Sequence, residues 1–305
     1  MKYKPSLPSR GLLGTVLSPD KERVTRKNLM PKTRLTITLD EDILKRVDAA
    51  IDGSKIRNRS HAIEFLLTSC LIPQSSKVLI LAGGEGVRFR PLTNELPKSL
   101  LPIAGRPLLE HTIQSLKAQG LTDIYISVAH LGDKIEDYFG DGSKFGVKIK
   151  YLEQAETKTG TAQPLLQAKH HFTDPFLVIY GDVLTKINYL DLLDFHSSHR
   201  GIATMALTSV EKPSMWGVAT IEGNRIKDFV EKPKNKTRSH LINAGIYVLN
   251  PDVFKYFDQK AVRLEKDLFP RLALEGKLYA YPFEGVWYDV STPQIYAEVM
   301  RDYKA

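Results

Sequence analysis

The chain has 305 residues, a net charge of +8 and 42% hydrophobic residues, which is enough for one large α/β domain with a smaller unit beside it. Its single cysteine, Cys70, excludes an internal disulfide framework and is typical of a reducing compartment. No signal peptide or bilayer-spanning run is recognisable, so we expect a cytoplasmic protein without a membrane partner.

Residues 1–32 hold most of the excess positive charge. Eight lysines and arginines are opposed there by Asp20 and Glu22, and four prolines interrupt a stretch without hydrophobic periodicity. This composition predicts a basic, largely disordered arm. Alone it would be a solvated tail, but its charge also suits attraction to the phosphates of nucleic acid.

Residues 33–72 follow the pattern of a separate unit. From Leu35 to Leu39, apolar and polar residues alternate, which predicts a strand with one buried face. Asp40 is predicted to cap a first amphipathic helix and Ser60 a second one. Because a strand and two helices of this size cannot bury a core alone, a second copy of the chain is the simplest completion.

This strand-helix-helix pattern resembles the ribbon-helix-helix family of Arc and MetJ type, in which two chains pair their strands into a ribbon that enters the DNA major groove. The resemblance implies a homodimer that contacts base edges from the ribbon and phosphates from the start of the second helix. The residues at these positions are Arg34, Thr36, Thr38, Arg59 and Ser60. The pattern also fits a pure dimerisation module, so both interpretations stay open.

Residues 73–76 are the predicted linker, and residues 77–305 follow a different pattern. Apolar runs at 78–81, 124–128, 149–152 and 176–180 alternate with helix-like stretches. Strands and helices that alternate over short connections predict a Rossmann-like, mainly parallel sheet with helices on both faces. In such folds ligands bind at the carboxyl ends of the strands.

A glycine-rich loop follows the first of these strands. It reads LAGGEGVR from Leu81 to Arg88, and Pro97-Lys98 comes soon after. The third glycine of a dinucleotide fingerprint is missing, and no Gly-Lys-Ser or Gly-Lys-Thr follows, which excludes a Walker A loop. The glycines allow the backbone to approach a nucleotide, and Arg88 and Lys98 add positive charge for its phosphates.

This loop and four later motifs resemble the signatures of the sugar-1-phosphate nucleotidyltransferases, and the resemblance extends over residues 77–305. The later motifs are Gly181-Asp182 after the fourth strand, Glu231-Lys232-Pro233, NAGIY from Asn243, and WYDVSTP from Trp287. Each motif alone is more often an ordinary turn or a solvated loop. Five motifs in the family's order indicate the family.

The resemblance implies that a nucleoside triphosphate and a sugar 1-phosphate react with the help of Mg²⁺. It assigns catalysis to Arg88 and Lys98, and metal binding to Asp182 and Asp289. The implied nucleotide-binding residues are Leu81, Ala82, Gly83, Gly84, Gly86, Gly160 and Thr161. The implied residues for the sugar phosphate are Gly217, Glu231, Lys232, Asn243 and Gly245.

The base and the sugar are less well defined by the sequence. Gly160-Thr161-Ala162 resembles the base-pocket segment of mannose-1-phosphate guanylyltransferases, although Lys158-Thr159 replaces the Pro-Leu that usually precedes it. The segment favours guanine. Trp216-Gly217 stands where relatives usually have Tyr-Gly, which leaves the sugar open.

Two functions fit these patterns. The first is an active enzyme that makes a nucleotide sugar and also dimerises and binds DNA through its amino-terminal unit. The second is a DNA-binding transcriptional regulator whose α/β domain senses a nucleotide or a nucleotide sugar. The presence of Lys98, Asp182, Lys232 and Asp289 favours the enzyme, because a sensor could bind its ligand without both metal carboxylates.

Overall fold

The computed structural model describes residues 36–53, 56–71, 76–154, 160–199, 201–257 and 263–304. The predicted basic arm, Arg34 of the predicted ribbon and residues 73–75 of the predicted linker lie outside these ranges and stay predictions. None of the described helices combines the length and the apolar composition that a bilayer span requires.

Two helices form the amino-terminal unit. They are α1, Glu41–Ala49, and α2, Arg59–Leu71, and they correspond to the two helices that the sequence predicts. Among the side chains that the structure describes, Val47, Ile56 and Ala62 form a small buried core in this unit. Asn58 Oδ1 accepts a hydrogen bond from the His61 amide at 2.9 Å, so Asn58 caps α2. The predicted cap at Ser60 is wrong, because Ser60 already lies inside the first turn.

The structure describes residues 36–39 of the strand predicted from Leu35 to Leu39, and these residues do not form a strand. Residues 36–40 adopt no regular secondary structure. A strand needs a neighbour that takes up its backbone hydrogen bonds, and in the ribbon-helix-helix pattern that neighbour is the same segment of a second chain. Ile37, Ile43 and Leu67 of this unit are 45% to 49% exposed in the single chain.

A nine-stranded sheet organises the rest of the molecule. The strands, in chain order, are β1 Val78–Leu81, β2 Pro102–Ile103, β3 Arg106–Pro107, β4 Asp123–Val128, β5 Lys148–Glu153, β6 Phe176–Tyr180, β7 Val183–Thr185, β8 Ala203–Ser209, β9 Gly217–Glu222, β10 Arg225–Glu231, β11 Leu241–Leu249, β12 Leu278–Pro282 and β13 Trp287–Asp289. Strands β2 and β3 form a separate small hairpin, and β7 pairs with β13.

The spatial order of the large sheet is β5-β4-β1-β6-β11-β8-β12-β10-β9. β1, β4, β5 and β6 are parallel, as predicted, and β8 is parallel to β12. β11 runs antiparallel to β6 and β8, and β10 runs antiparallel to β9 and β12. β9 and β10 must be antiparallel because Gly223-Asn224 joins them directly, a connection that only antiparallel strands can use.

Helices cover both faces of the sheet, as predicted. They are α3 Leu108–Ala118, α4 Gly132–Phe139, α5 Ala162–Ala168, α6 Tyr189–Ser198, α7 Phe269–Leu274 and α8 Pro293–Asp302. α3, α4 and α6 pack on one core, while α5 and α7 pack on the other. Val78 and Ile80 of β1 belong to the first core and Leu79 to the second, as the alternation of side chains along a strand requires.

Two additional pairings bring distant segments to one edge of the sheet. β11 also pairs with β9, with Ile242 opposite Val218, so the far end of the sheet folds back onto its middle. The pairing of β7 with β13 sets Val183 opposite Asp289. Both pairings lie next to the carboxyl end of β6, where the sequence predicts the site.

Candidate active site

Two adjoining cavities open at the carboxyl ends of β1 and β6. The larger has a volume of about 560 Å³ and the smaller about 290 Å³. Lys98, Tyr180 and Asp182 line both cavities, so they form the partition between them. A group bound in either cavity would therefore contact the same lysine and the same carboxylate.

All the residues that the sequence assigns to catalysis, metal or substrates line these two cavities. Beyond the partition, the smaller one is lined by Leu81, Ala82, Gly83, Gly84, Gly160 and Thr161. The larger one is lined by Gly86, Arg88, Gly217, Glu231, Lys232, Asn243, Gly245 and Asp289. The fold thus collects the five motifs at one edge of the sheet.

The glycine-rich loop turns sharply at Gly86. The φ angle of this residue is 63°, in the left-handed region that favours glycine. A Cβ atom there would lie 2.9 Å from the Thr93 side chain, so space and backbone conformation both require glycine. The Thr93 hydroxyl donates to the Gly86 carbonyl at 2.8 Å and holds the turn, which places the exposed Arg88 on the wall of the larger cavity.

Two acidic residues, Asp182 of the partition and Asp289, line the larger cavity. The Val290 amide donates to the Asp182 carbonyl at 2.9 Å, which holds the chain at Asp289 next to the end of β6. Lys98 forms an ion pair with Asp182, and Trp216 Nε1 donates to Asp289 Oδ2 at 2.7 Å. Burial, together with the charge of Asp182, raises the pKa of Asp289 to about 6. The two acids are therefore close enough to repel each other.

This pair of acids fits a magnesium ion. Mg²⁺ prefers oxygen ligands and is usually held by one or two carboxylates together with substrate phosphates and water. A divalent cation would offset both the burial of Asp289 and its repulsion by Asp182. Within the described ranges no third histidine, cysteine or acidic residue completes a metal cluster, so substrates and water would have to supply the other ligands.

β9 and β10 build the far wall of the larger cavity. Gly217 pairs with Glu231, and a Cβ atom at position 217 would lie 2.9 Å from Glu231 Oε2 and 2.3 Å from the ring of Phe229. Only glycine therefore allows Glu231 its present position. The Glu231 side chain is 17% exposed, and its Oε1 lies 3.6 Å from Lys232 Nζ.

Asn243 shapes a bulge in β11 that contributes to the same wall. Its Oδ1 accepts from the Gly245 amide at 2.9 Å, and its Nδ2 donates to the Tyr247 hydroxyl at 2.7 Å. The pairing of β11 with β8 shifts register between Asn243 and Tyr247. The amide side chain thus holds the loop that lines the cavity.

Glu265 joins the walls of the two cavities, although no sequence pattern pointed to it. It lies in a π-helical turn, Leu264–Leu268, and lines the larger cavity. Its Oε2 accepts from the Thr161 hydroxyl at 2.9 Å, and its Oε1 accepts from the Tyr180 hydroxyl. Burial and the neighbouring charge of Glu265 raise the pKa of Glu231.

The smaller cavity contains two further polar residues that sequence reasoning missed. Gln154 follows β5, and its Nε2 donates to the Ser127 hydroxyl at 2.8 Å. A Cβ atom at Gly83 would lie 2.5 Å from that nitrogen, so glycine is required for this approach. The hydroxyl of Ser99 is buried and has no hydrogen-bond partner among the described residues. The position of Gln154 two residues after the run predicted at 149–152 was the available signal.

The residues predicted to contact DNA lie apart from the two cavities in the amino-terminal unit. Thr36, Thr38 and Ser60 are exposed. The guanidinium of Arg59 binds both carboxylate oxygens of Asp48, at 2.7 and 2.8 Å, and links α1 to α2. Arg59 therefore has a structural partner besides its predicted role.

Residues 77–305 match the family described as nucleotidyl transferase. The chain belongs to the nucleotidyl transferase family. This member is 37% identical over 234 residues to mannose-1-phosphate guanylyltransferase 1 of Arabidopsis thaliana, covering 74% of this chain and 64% of that protein. It is also 37% identical over 224 residues to the mannose-1-phosphate guanylyltransferase catalytic subunit beta of Danio rerio, covering 72% of this chain and 62% of that protein. The chain thus spans less than two thirds of the length of these relatives.

Solved structures support the same nucleotidyl transferase fold. A Bacillus anthracis protein described as a glucose-1-phosphate thymidylyltransferase, in complex with a sucrose, has a TM-score of 0.69 and 29% identity, and the match covers 75% of this chain and 96% of that one. HddC from Yersinia pseudotuberculosis has a TM-score of 0.65 at 24% identity, and the match covers 75% of this chain and all of that one. At this identity the similarity shows a shared fold only. The predicted family of residues 77–305 and their α/β fold class are confirmed. The expectation of a mainly parallel sheet holds for β1, β4, β5 and β6, but the sheet as a whole is mixed.

Proposed function

We propose that the protein transfers a nucleotidyl group from a nucleoside triphosphate to a sugar 1-phosphate, giving an NDP-sugar and pyrophosphate, with Mg²⁺ as cofactor. The supporting observation is the shared partition, because Lys98 and Asp182 line both cavities and Asp289 lies beside them. Two substrates that each occupied one cavity would meet at this point.

The glycine-rich loop suits the nucleotide. Its glycines permit a close approach of backbone amides to phosphates. Arg88, at the end of the loop, lines the larger cavity, and Lys98 lines both cavities. A base in the smaller cavity would have Gln154 and Thr161 on its walls. The triphosphate would then extend towards the partition, where the second substrate arrives.

The reaction needs charge neutralisation rather than a general base. An oxygen of the sugar phosphate forms a bond to the α-phosphorus, and the bond from that phosphorus to the oxygen shared with the β-phosphate breaks. With a second pKa of about 6, the attacking phosphate is already ionised at neutral pH. The barrier is the mutual repulsion and in-line placement of two polyanions. Arg88 and Lys98 lower that repulsion and stabilise the charge on the leaving pyrophosphate.

Asp182 and Asp289 would hold the Mg²⁺ ion, whose charge stabilises the phosphate oxygens during transfer. On the sugar side, Lys232 would bind the phosphate and Glu231 would accept from a sugar hydroxyl. The raised pKa of Glu231 reflects its burial, and a hydroxyl donor from the substrate would replace the water that it has lost.

GTP and mannose 1-phosphate are the substrate pair that we propose. The relatives of 37% identity are mannose-1-phosphate guanylyltransferases, which supports this choice. The Gly160-Thr161 segment, which resembles their base pocket, lines the smaller cavity. Trp216 at the sugar side is the feature that argues for testing other sugars as well.

Pyrophosphate release tests the proposal. The full chain is mixed with Mg²⁺, each of the common nucleoside triphosphates and a panel of sugar 1-phosphates. We expect release with GTP and mannose 1-phosphate, and a loss of at least about 100-fold in Asp182→Asn, as for other groups that stabilise transition-state charge. Asp137→Asn, on the exposed face of α4, is the control and should match wild type. No release from wild type with any pair would refute the proposal.

A second function is supported by the exposed Ile37, Ile43 and Leu67 of the amino-terminal unit. We propose that a second copy of the unit covers them and supplies the missing ribbon partner, and that the resulting dimer binds DNA together with the basic arm. A gel shift of wild type against Arg34→Ala, with the exposed Lys45→Ala as control, tests the ribbon contact. Equal binding by all three would refute it.

The same assays separate the enzyme from the sensor. A sensor would give no pyrophosphate with any substrate pair, while a nucleotide sugar would change the DNA affinity of the full chain. An enzyme that also binds DNA would give pyrophosphate, whether or not the nucleotide sugar changes DNA affinity.

A further inference from the structure

Trp216 contacts both halves of the proposed site. Its indole Nε1 donates to Asp289 Oδ2 at 2.7 Å, and its backbone carbonyl accepts from the Lys232 amide at 3.1 Å. The half-buried ring lines the larger cavity and packs edge-on against Trp287, with ring centroids 5.9 Å apart. Trp216 therefore connects the proposed metal ligand to the proposed sugar-phosphate loop.

The chemistry of the indole restricts what this contact can do. An indole N–H is a donor without an acceptor site, so Trp216 cannot bind a cation through that nitrogen or accept from a sugar hydroxyl. Its one polar action at this wall is to hold Oδ2 of Asp289. The Ser291 side chain also hydrogen-bonds to this carboxylate, so Trp216 and Ser291 together set its orientation.

The backbone contact of Trp216 acts on a residue with an uncommon conformation. Lys232 has a φ of 47°, which few residues other than glycine adopt. The hydrogen bond from the Lys232 amide to the Trp216 carbonyl stabilises this conformation at the end of β10. A displacement of Trp216 would therefore disturb its hydrogen bonds to both Asp289 and Lys232.

We infer that Trp216 is a positioning residue that orients the Asp289 carboxylate towards a divalent cation and keeps Lys232 in register with it. The inference rests on the proposed function, since it takes Asp289 as a metal ligand. Residues that hydrogen-bond to metal ligands orient them, and their loss commonly lowers metal affinity by about 10- to 100-fold.

The decisive comparison is Trp216→Phe against Trp287→Phe. Both changes remove one indole from the same wall, but Trp287 donates to the backbone carbonyl of Ala244, at 2.9 Å, and not to a carboxylate. We expect Trp216→Phe to raise the Mg²⁺ concentration for half-maximal pyrophosphate release by about 10- to 100-fold, and Trp216→Tyr, which restores a donor, to recover part of it. Trp287→Phe should leave this Mg²⁺ requirement unchanged, whatever its effect on turnover.

Fluorescence gives a readout that does not depend on turnover. The chain has two tryptophans, so Trp216 is the sole indole fluorophore in Trp287→Phe. Titration of this variant with Mg²⁺, without substrates, should give a saturable change in emission that Asp289→Asn abolishes. Thermal unfolding of each variant verifies that the fold is retained.

The failure of the inference can be told from the failure of the proposed function. If wild type releases pyrophosphate but Trp216→Phe keeps the wild-type Mg²⁺ requirement, or Trp287→Phe shifts it equally, Trp216 has no positioning role. If wild type releases none, the proposed reaction fails, and the fluorescence titration decides the inference alone. In that case an emission that does not respond to Mg²⁺ overturns it.

Discussion

At Asp289 the demands of stability and activity conflict. Burial and the charge of Asp182 raise its pKa from the ordinary 3.8 to about 6, so the folded chain binds a proton there more tightly than the unfolded chain. The sign follows from linkage: this residue's contribution to the free energy of unfolding falls as the pH rises from about 4 to above 6. At neutral pH the metal-free protein therefore carries a destabilising charge at the centre of its site.

Asp289→Asn should stabilise the metal-free protein and inactivate it. The amide carries no charge, yet its oxygen can still accept from Trp216. We expect the free energy of unfolding at about pH 7.5 to rise by about 1–3 kcal/mol, and the gain to shrink near pH 4. Urea unfolding with a chelator present measures it. Asp137→Asn, exposed on α4, should change nothing, and a variant no more stable than wild type would contradict the argument.

Gly217 sets the position of Glu231 by leaving space. In Gly217→Ala the added methyl would meet the ring of Phe229 at 2.3 Å and Glu231 Oε2 at 2.9 Å, so one of them must move. We expect a destabilisation of about 1–3 kcal/mol, as for other overpacked sites. The KM for the sugar phosphate should rise by about tenfold or more, since a displacement of about 1 Å can have a large effect on rate.

The matched control for this steric effect is Gly84→Ala. A Cβ atom there meets no atom within 4 Å, so the free energy of unfolding should stay near that of wild type. If Gly217→Ala and Gly84→Ala unfold at the same denaturant concentration, Phe229 and Glu231 can move away from the added methyl group without loss of stability.

At the scale of elements, local patterns predicted the first half of the sheet. β1 and β6 are apolar and almost wholly buried because helices cover both sides, and that signal is contained within each strand. β4 is also almost wholly buried, whereas the edge strand β5 carries exposed lysines between less exposed residues. The closure of β11 onto β9 depends on Ile242 meeting Val218, which no local pattern encodes. The bond from Glu265 to Thr161 spans 104 positions and was missed for the same reason.

α6 is joined to the sheet by a buried histidine. His196 is 4% exposed, and its Nδ1 lies 2.8 Å from the Thr204 hydroxyl of β8. Burial, with a smaller effect from nearby His199, lowers the pKa of His196 to about 4. Since the ordinary value is 6.5, the folded state resists protonation there, and stability must be lost as the pH falls from 6.5 towards 4.

His196→Asn should therefore flatten the acid side of the stability profile. We expect wild type to lose about 1–3 kcal/mol more than the variant between about pH 7 and pH 4.5. Urea unfolding at a series of pH values measures the difference. His240 is exposed, so His240→Asn should keep the wild-type slope. Parallel profiles for wild type and His196→Asn would mean that α6 opens before the histidine is protonated.

The whole molecule joins a domain with a complete core to a unit whose core is small. Residues 77–305 bury two large clusters on either side of the sheet, whereas among the described side chains of the amino-terminal unit the buried core is Val47, Ile56 and Ala62. Sequence alternation predicted a strand from Leu35 to Leu39, but its described part has no strand partner within one chain. The alternation indicated what the segment can form, and the proposed second chain would supply the strand that pairs with it.

The dimer proposed for the full chain can be tested by changing an exposed apolar residue of the amino-terminal unit. Leu67, 49% exposed on α2, would be covered in a dimer, so Leu67→Glu places a charge in the contact and should shift the chain from dimer to monomer. Because Leu67 lines neither cavity, pyrophosphate release per chain should stay within about twofold of wild type, as for surface changes far from a site. Sedimentation equilibrium measures the mass. Lys45→Glu, an exposed change on α1, should remain dimeric. A wild-type chain that sediments as a monomer at all concentrations would show that the unit does not dimerise. The proposed nucleotidyl transfer does not depend on that result.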